Sequence, residues 1–399
     1  MSTLKYIQVI NDINQVLRTS ELSGNIGLHS GTSGIALFLA YYDRIICQKT
    51  DISQRVLNIL EHNVEQINSG VQLHTICNGI SGFCWLCEHL RKLGMLRVED
   101  IEFLNDLDSF LYQRMIADIR MGIYDFLHGA LGLGTYFLTR FNKKEVPVYL
   151  EELLSELEKL GVSCENGAIK WMSVLNAKTG GRGFNISLSH GISSIIAFLV
   201  RLYQLNFETE RVSKLLNGAI IYIFDQMADT DKYLSYFPSV SKESGLINYQ
   251  SRLGWCYGDL GIAHVLWQAG VILKNKNWEN TALRILHHTT NRRDLQINRI
   301  KDAGFCHGSV GVVHIFNNLY LKTGLQEFRD TADYWLQITM QMAKYNDGLA
   351  GFKAWRKEEY GGPENSYSLL DGISGIGMVL LSHQFNFVET NWDACFMLS

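Results

Sequence analysis

A short glycine signature recurs seven times along this chain, each copy leading into an apolar stretch, and no other feature restricts the fold as much. The copies are HSGTSG (29–34), CNGISG (77–82), HGALG (128–132), HGISS (190–194), CYGDLG (256–261), CHGSVG (306–311) and DGISG (371–375). All carry G-x-x-G except the fourth, where Ser194 takes the place of the second glycine. Successive copies lie about 50 to about 65 residues apart, which is room for two helices and their connections.

The segments that follow the motifs, such as GIALFLAYY (34–42), GISSIIAFLV (191–200) and GIGMVLLS (375–382), are apolar on almost every side, as buried helices are. Between them, DISQRVLNILEHNVEQI (51–67) and RVSKLLNGAIIYIFDQM (211–227) repeat their apolar positions at three and four residues, the pattern of outer helices with one wet face. Seven alternations of outer and inner helix predict an all-α fold, an α/α toroid. It is read as a single catalytic domain over residues 1–399, with the motifs gathered at one end of the inner ring. Three prolines in 399 residues agree with a helical body. The glycines suit sharp turns where backbones approach closely. The least regular stretch, 141–188, is expected to be a peripheral elaboration, with a β-like patch at AIKWMSVLN (168–176) and a flexible GGRG (180–183).

Composition excludes several function classes. The formal net charge is -4 and charged residues make up 19%, with Lys and Arg scattered, so nothing resembles a stripe that tracks phosphates and no nucleic-acid partner is expected. No apolar run reaches membrane-spanning length, and the N-terminal MSTLKYIQVINDINQVL lacks the uninterrupted apolar core of an export signal. A cytoplasmic protein is expected. Its eight cysteines are then reduced, and most lie in apolar stretches as small hydrophobes. Cys84 and Cys87 form a C-x-x-C inside such a stretch; with no second pair at finger spacing, they read as core.

Residues at the motif starts could do chemistry. Cys256 and the adjacent Cys306 and His307 occupy equivalent places in successive repeats, so a ring would set them on neighbouring turns at one height. Isolated cysteines in a helical core are usually packing, but the equivalence favours a shared metal. Two thiolates and an imidazole suit Zn²⁺, and three protein ligands leave a fourth position for substrate. His190 has the intrinsic pKa for proton exchange. Asp125 in YDFLHG, Arg252 in SRLGWCYG and Tyr257 are further polar groups at this end, with plain alternatives: a helix cap, a surface ion pair and a packed aromatic. His29, His128, His264 and His314 read as structural, and Asp371 as a cap.

SRLGWCYGDLG (251–261), FCHGSVG (305–311), LSHGISS (188–194) and YDFLHG (124–129) resemble the lanthionine synthetase C family, the cyclases of lantibiotic biosynthesis, and the seven motifs extend the likeness over the whole chain. The resemblance implies an α/α toroid with central zinc held by Cys256, Cys306 and His307. It makes His190 the general acid or base, with Asp125, Arg252 and Tyr257 as its neighbours. The implied reaction is addition of a Cys thiol of a precursor peptide to dehydroalanine or dehydrobutyrine, giving lanthionine or methyllanthionine. A free-standing class I cyclase of this kind implies a separate dehydratase and an exporter as partners.

The motifs also bear on three other readings. A LanC-like enzyme would join glutathione or another free thiol to dehydrated residues; Tyr257 in W-C-Y-G fits the bacterial cyclase form better. A toroidal glycosidase needs two opposed carboxylates, where these motifs offer Cys and His. A non-catalytic scaffold would bind the peptide with purely structural zinc.

Overall fold

The computed structural model describes residues 3–176, 180–244, 248–386 and 391–399. Fourteen α-helices are present among them. Seven begin one residue after the first glycine of a motif: α2 (Thr32–Ile45), α4 (Ile80–Lys92), α6 (Ala130–Thr139), α8 (Ile192–Gln204), α10 (Asp259–Ile272), α12 (Ser309–Thr323) and α14 (Ile373–Phe385). These are the helices apolar on all sides; in α8, every residue from Ile192 to Val200 is buried. The others are α1 (Thr3–Thr19), α3 (Gln54–Asn68), α5 (Leu104–Arg120), α7 (Val146–Leu160), α9 (Thr209–Asp225), α11 (Lys276–Thr290) and α13 (Gln326–Met342). In α3 the buried residues are Val56, Ile59, Leu60 and Asn63, one stripe at helical spacing. Helices pair in sequence as hairpins, α2 with α3, α6 with α7, α8 with α9, α10 with α11 and α12 with α13. Pro147, the one proline within a helix, sits in the first turn of α7, where its missing N–H would have had no helical partner.

The motif glycines answer to close approach more than to backbone sign. Six of the seven first glycines cap their helix in extended conformation, and Gly258 alone has positive φ, at 93°. A Cβ on the second glycine would meet the carbonyl oxygen of the residue six positions earlier: 2.0 Å from Phe305 at Gly311, 2.1 Å from Trp255 at Gly261 and 2.2 Å from Ile76 at Gly82. One position before the second glycine, or before its Ser194 replacement, Ser33, Ser193 and Ser374 donate to the carbonyls of Ile26, Ile186 and Tyr367, locking these three turns to their approach segments.

The helices form two compact units. The first holds Met1–Asp108 and Ile300–Trp392, with motifs six, seven, one and two; the second holds Ser109–Arg299 and Asp393–Ser399, with motifs three, four and five. Within the first, each motif turn is bonded to the next: Cys306 N–H donates to Leu370, Leu370 N–H to His29, and His29 N–H to Cys77. The last repeat thereby lies beside the first, with α14 packed on α1 and α2. Within the second, the N–H groups of Leu188 and Ser189 donate to Cys256.

The β-like patch is present as two antiparallel hairpins in the second unit. β1 (Val162–Ser163) pairs with β2 (Ile169–Lys170), and β3 (Ser173–Asn176) with β4 (Gly181–Gly183). Among the described residues, no helix is long and apolar enough to cross a membrane.

Candidate active site

In the second unit, His190 and Cys256 occupy adjoining turns because the backbone of Leu188 and Ser189 is bonded to the Cys256 carbonyl. Cys256 is buried, 3% exposed, and His190 is half-buried. His190 is oriented from both ends: its N–H donates to Ser187 Oγ, and its Nδ1 lies 2.5 Å from Asp125 Oδ2. Burial opposes protonation of this imidazole, but the hydrogen bond and charge of Asp125, with Cys256 nearby, outweigh it and raise the pKa. The second oxygen of Asp125 accepts the backbone N–H of His128 at 2.8 Å. Asp125 therefore does more than the cap it could have been: it secures its own turn and holds the His190 ring.

Tyr257 faces His190 with ring centroids 6.0 Å apart, and its hydroxyl accepts from Asn185 Nδ2 at 3.2 Å. Burial, with the charges of Cys256 and Asp125, raises the phenol's pKa against the hydrogen bonds it receives, so it stays neutral near neutral pH. Arg252 is half-buried, and among the described residues it has no ion pair or side-chain hydrogen bond, in contrast to the surface pair that was one reading of it.

The loop carrying Arg252, Cys256 and Tyr257 is anchored by a network that sequence reasoning missed. Asp259, fully buried in the first turn of α10, accepts N–H bonds from Tyr236 and Phe237 and pairs with Arg292 at 3.2 Å. Arg292 also donates to the Ser251 carbonyl and to Asn298 Oδ1. The only sequence hint was an aspartate between the motif glycines, where the other copies have apolar or small uncharged residues.

In the first unit, Cys306 and His307 form the turn before α12, and both are half-buried. The buried Asp302 shapes the approach, with Oδ1 accepting Gly304 N–H and Oδ2 accepting Trp355 N–H. Asp371 is not the cap it was expected to be: α14 is capped by Gly372 without any side chain, and the Asp371 carboxylate lies 3.9 Å from His307 Nδ1. His29 is fully buried, while His264 and His314 are core residues bonded to the Leu398 carbonyl and to Asn318. His128 is different. It is exposed and stacked on His190, unlike the other three. Cys84 and Cys87 are buried in α4, as core residues.

Comparison with known proteins agrees with this arrangement of motifs. A family model described as lanthionine synthetase C-like protein matches residues 23–397. The chain belongs to the lanthionine synthetase C-like family. The nisin biosynthesis protein NisC of Lactococcus lactis subsp. lactis is 23% identical over 404 residues, covering 94% of this chain and 89% of that protein. The solved structure of nisin cyclase matches with a TM-score of 0.72 at 21% identity, over 99% of this chain and 97% of the other. The GH76A α-1,6-mannanase from Salegentibacter sp. HEL1_6 gives 0.50 at 12% identity, over 95% and 98%. Identities this low speak to fold alone. The fold of this lanthionine synthetase C-like protein is the all-α, α/α toroid expected from its repeats.

Proposed function

We propose that this protein is a zinc-dependent cyclase that adds Cys thiols of a dehydrated precursor peptide to dehydroalanine and dehydrobutyrine, forming lanthionine and methyllanthionine rings. It acts in the cytoplasm, between a separate dehydratase and an exporter. The reading is carried by a proton-transfer pair, His190 and Asp125, on the turn adjoining Cys256, within a chain matched almost end to end by a cyclase.

The metal ligands in this reading are Cys256, Cys306 and His307. Each stands in a motif turn just before an inner helix, Cys256 before α10 and the Cys306–His307 pair before α12. Two thiolates and one imidazole fit borderline-soft zinc with one position left for substrate. Asp371, on the Nδ1 side of His307, resembles the carboxylates that orient metal-binding imidazoles. Zinc held there would lower the pKa of an incoming thiol, while the two protein thiolates keep the sulfur electron-rich.

The protein's own groups supply the rest. His190, whose protonated form Asp125 favours, delivers a proton to the α-carbon after sulfur adds to the β-carbon. The half-buried guanidinium of Arg252 and the neutral Tyr257 hydroxyl offer hydrogen bonds to the carbonyl oxygen on which negative charge develops.

The test joins metal analysis to thiol counting. Purified wild type is expected to hold one zinc and to consume alkylatable thiols of a dehydrated peptide, with peptide mass unchanged. Cys306→Ala loses the metal, and His190→Asn keeps it but loses turnover. A metal-free wild type, or a fully active His190→Asn, would overturn the mechanism.

A further inference from the structure

His128 stands before Gly129 as His190 stands before Gly191, and the two rings lie side by side with centroids 6.1 Å apart and planes inclined by 17°. Asp125 serves both residues, but unequally. It binds the His190 side chain through Oδ2, whereas from His128 it takes only the backbone N–H. A proton on the pair therefore settles on His190, where the carboxylate meets the ring directly, and its charge then discourages a second proton next door. His128 is the solvent-facing ring of the two and the one on which a proton is less favoured.

We propose that His128 is the general base of the reaction, accepting the proton of the substrate thiol while His190 acts as the general acid. The inference rests on the cyclase reading and deepens it. The proton inventory closes without any oxidant or reductant. The S–H bond breaks and its proton goes to His128; the S–C bond forms as the C=C π pair moves to the α-carbon; the His190 proton makes the new C–H bond. His128 then releases its proton to water, and His190 takes one back.

The electrostatics point the same way. Dehydration of the His128 face packed on its neighbours lowers its pKa, Asp125 opposes this and the charge of His190 reinforces it, while the pKa of His190 is raised. Two like groups driven apart in this manner are the usual mark of a divided acid and base role. Exposure matters as well, because a base that must unload to water each turnover cannot be sealed in the core.

The experiment compares wild type, His128→Gln and His128→Ala on a dehydrated peptide, following loss of alkylatable thiol. Glutamine keeps a planar polar group on His190 but cannot accept the proton. Both variants are expected to lose roughly 100-fold in kcat/KM, and added imidazole restores His128→Ala because the site is open. An NMR titration of wild type should place His128 below the ordinary histidine value of about 6.5. Wild-type rates in His128→Gln, or a titration of His128 above that value, overturn the assignment of the base and leave the cyclase reading intact. If wild type itself consumes no thiol, the cyclase reading falls and this one with it.

Discussion

The buried pair Asp259–Arg292 gives a sharp test of how the candidate site is held. Replacing Arg292 by Met keeps most of the side-chain volume but removes the ion-pair partner of the fully buried Asp259 carboxylate, leaving it the N–H bonds from Tyr236 and Phe237 among the described residues. The Ser251 carbonyl and Asn298 lose a donor at the same time. Breaking one side of such a pair costs about 3–5 kcal/mol, a factor of roughly a hundred to several thousand in the folding equilibrium. Removing both charges, in Asp259→Asn with Arg292→Met, should cost much less than the two single changes added together, because no uncompensated charge remains. Urea midpoints of the four proteins measure this directly. The loop bearing Arg252, Cys256 and Tyr257 is tied to Arg292 through Ser251, so if the proposed metal is held there, metal content should fall in Arg292→Met below its global unfolding transition. A loss under about 1 kcal/mol for the single variant, or strict additivity in the double one, would refute the argument.

Two further outcomes are expected. In Gly311→Ala the added Cβ would meet the Phe305 carbonyl at 2.0 Å, and since backbone must move, the variant should lose about 1–3 kcal/mol; an unchanged melting temperature would show that the motif glycines are not set by close approach. For Asp125→Asn, the raised pKa of His190 means that the pair's contribution is fully present below the ordinary histidine pKa and is lost as pH rises through the folded value. The stability difference from wild type should therefore shrink toward alkaline pH, and the alkaline limb of kcat/KM should move to lower pH. A limb that does not move would remove Asp125 from the proposed proton-transfer pair.

Repeats, helix types and the motif starts were all legible in the sequence, since each is a local matter: an all-round apolar helix such as α8 must be buried wherever it lies, and a striped one such as α3 must keep one face wet. Other features were decided by tertiary structure. Asp125 read as well as a cap as a partner for His190, because a carboxylate's role depends on what a residue 65 positions away brings beside it. His128 looked like any other histidine until its ring was found against His190, and Asp371 changed from cap to neighbour of His307. Asp259 and Arg292 gave almost no signal, as two charges 33 residues apart define a buried pair only once the chain has folded around them. Local pattern dictates which elements form and which faces they bury, whereas proton transfer and charge pairing depend on distances between side chains that no single segment of the sequence contains.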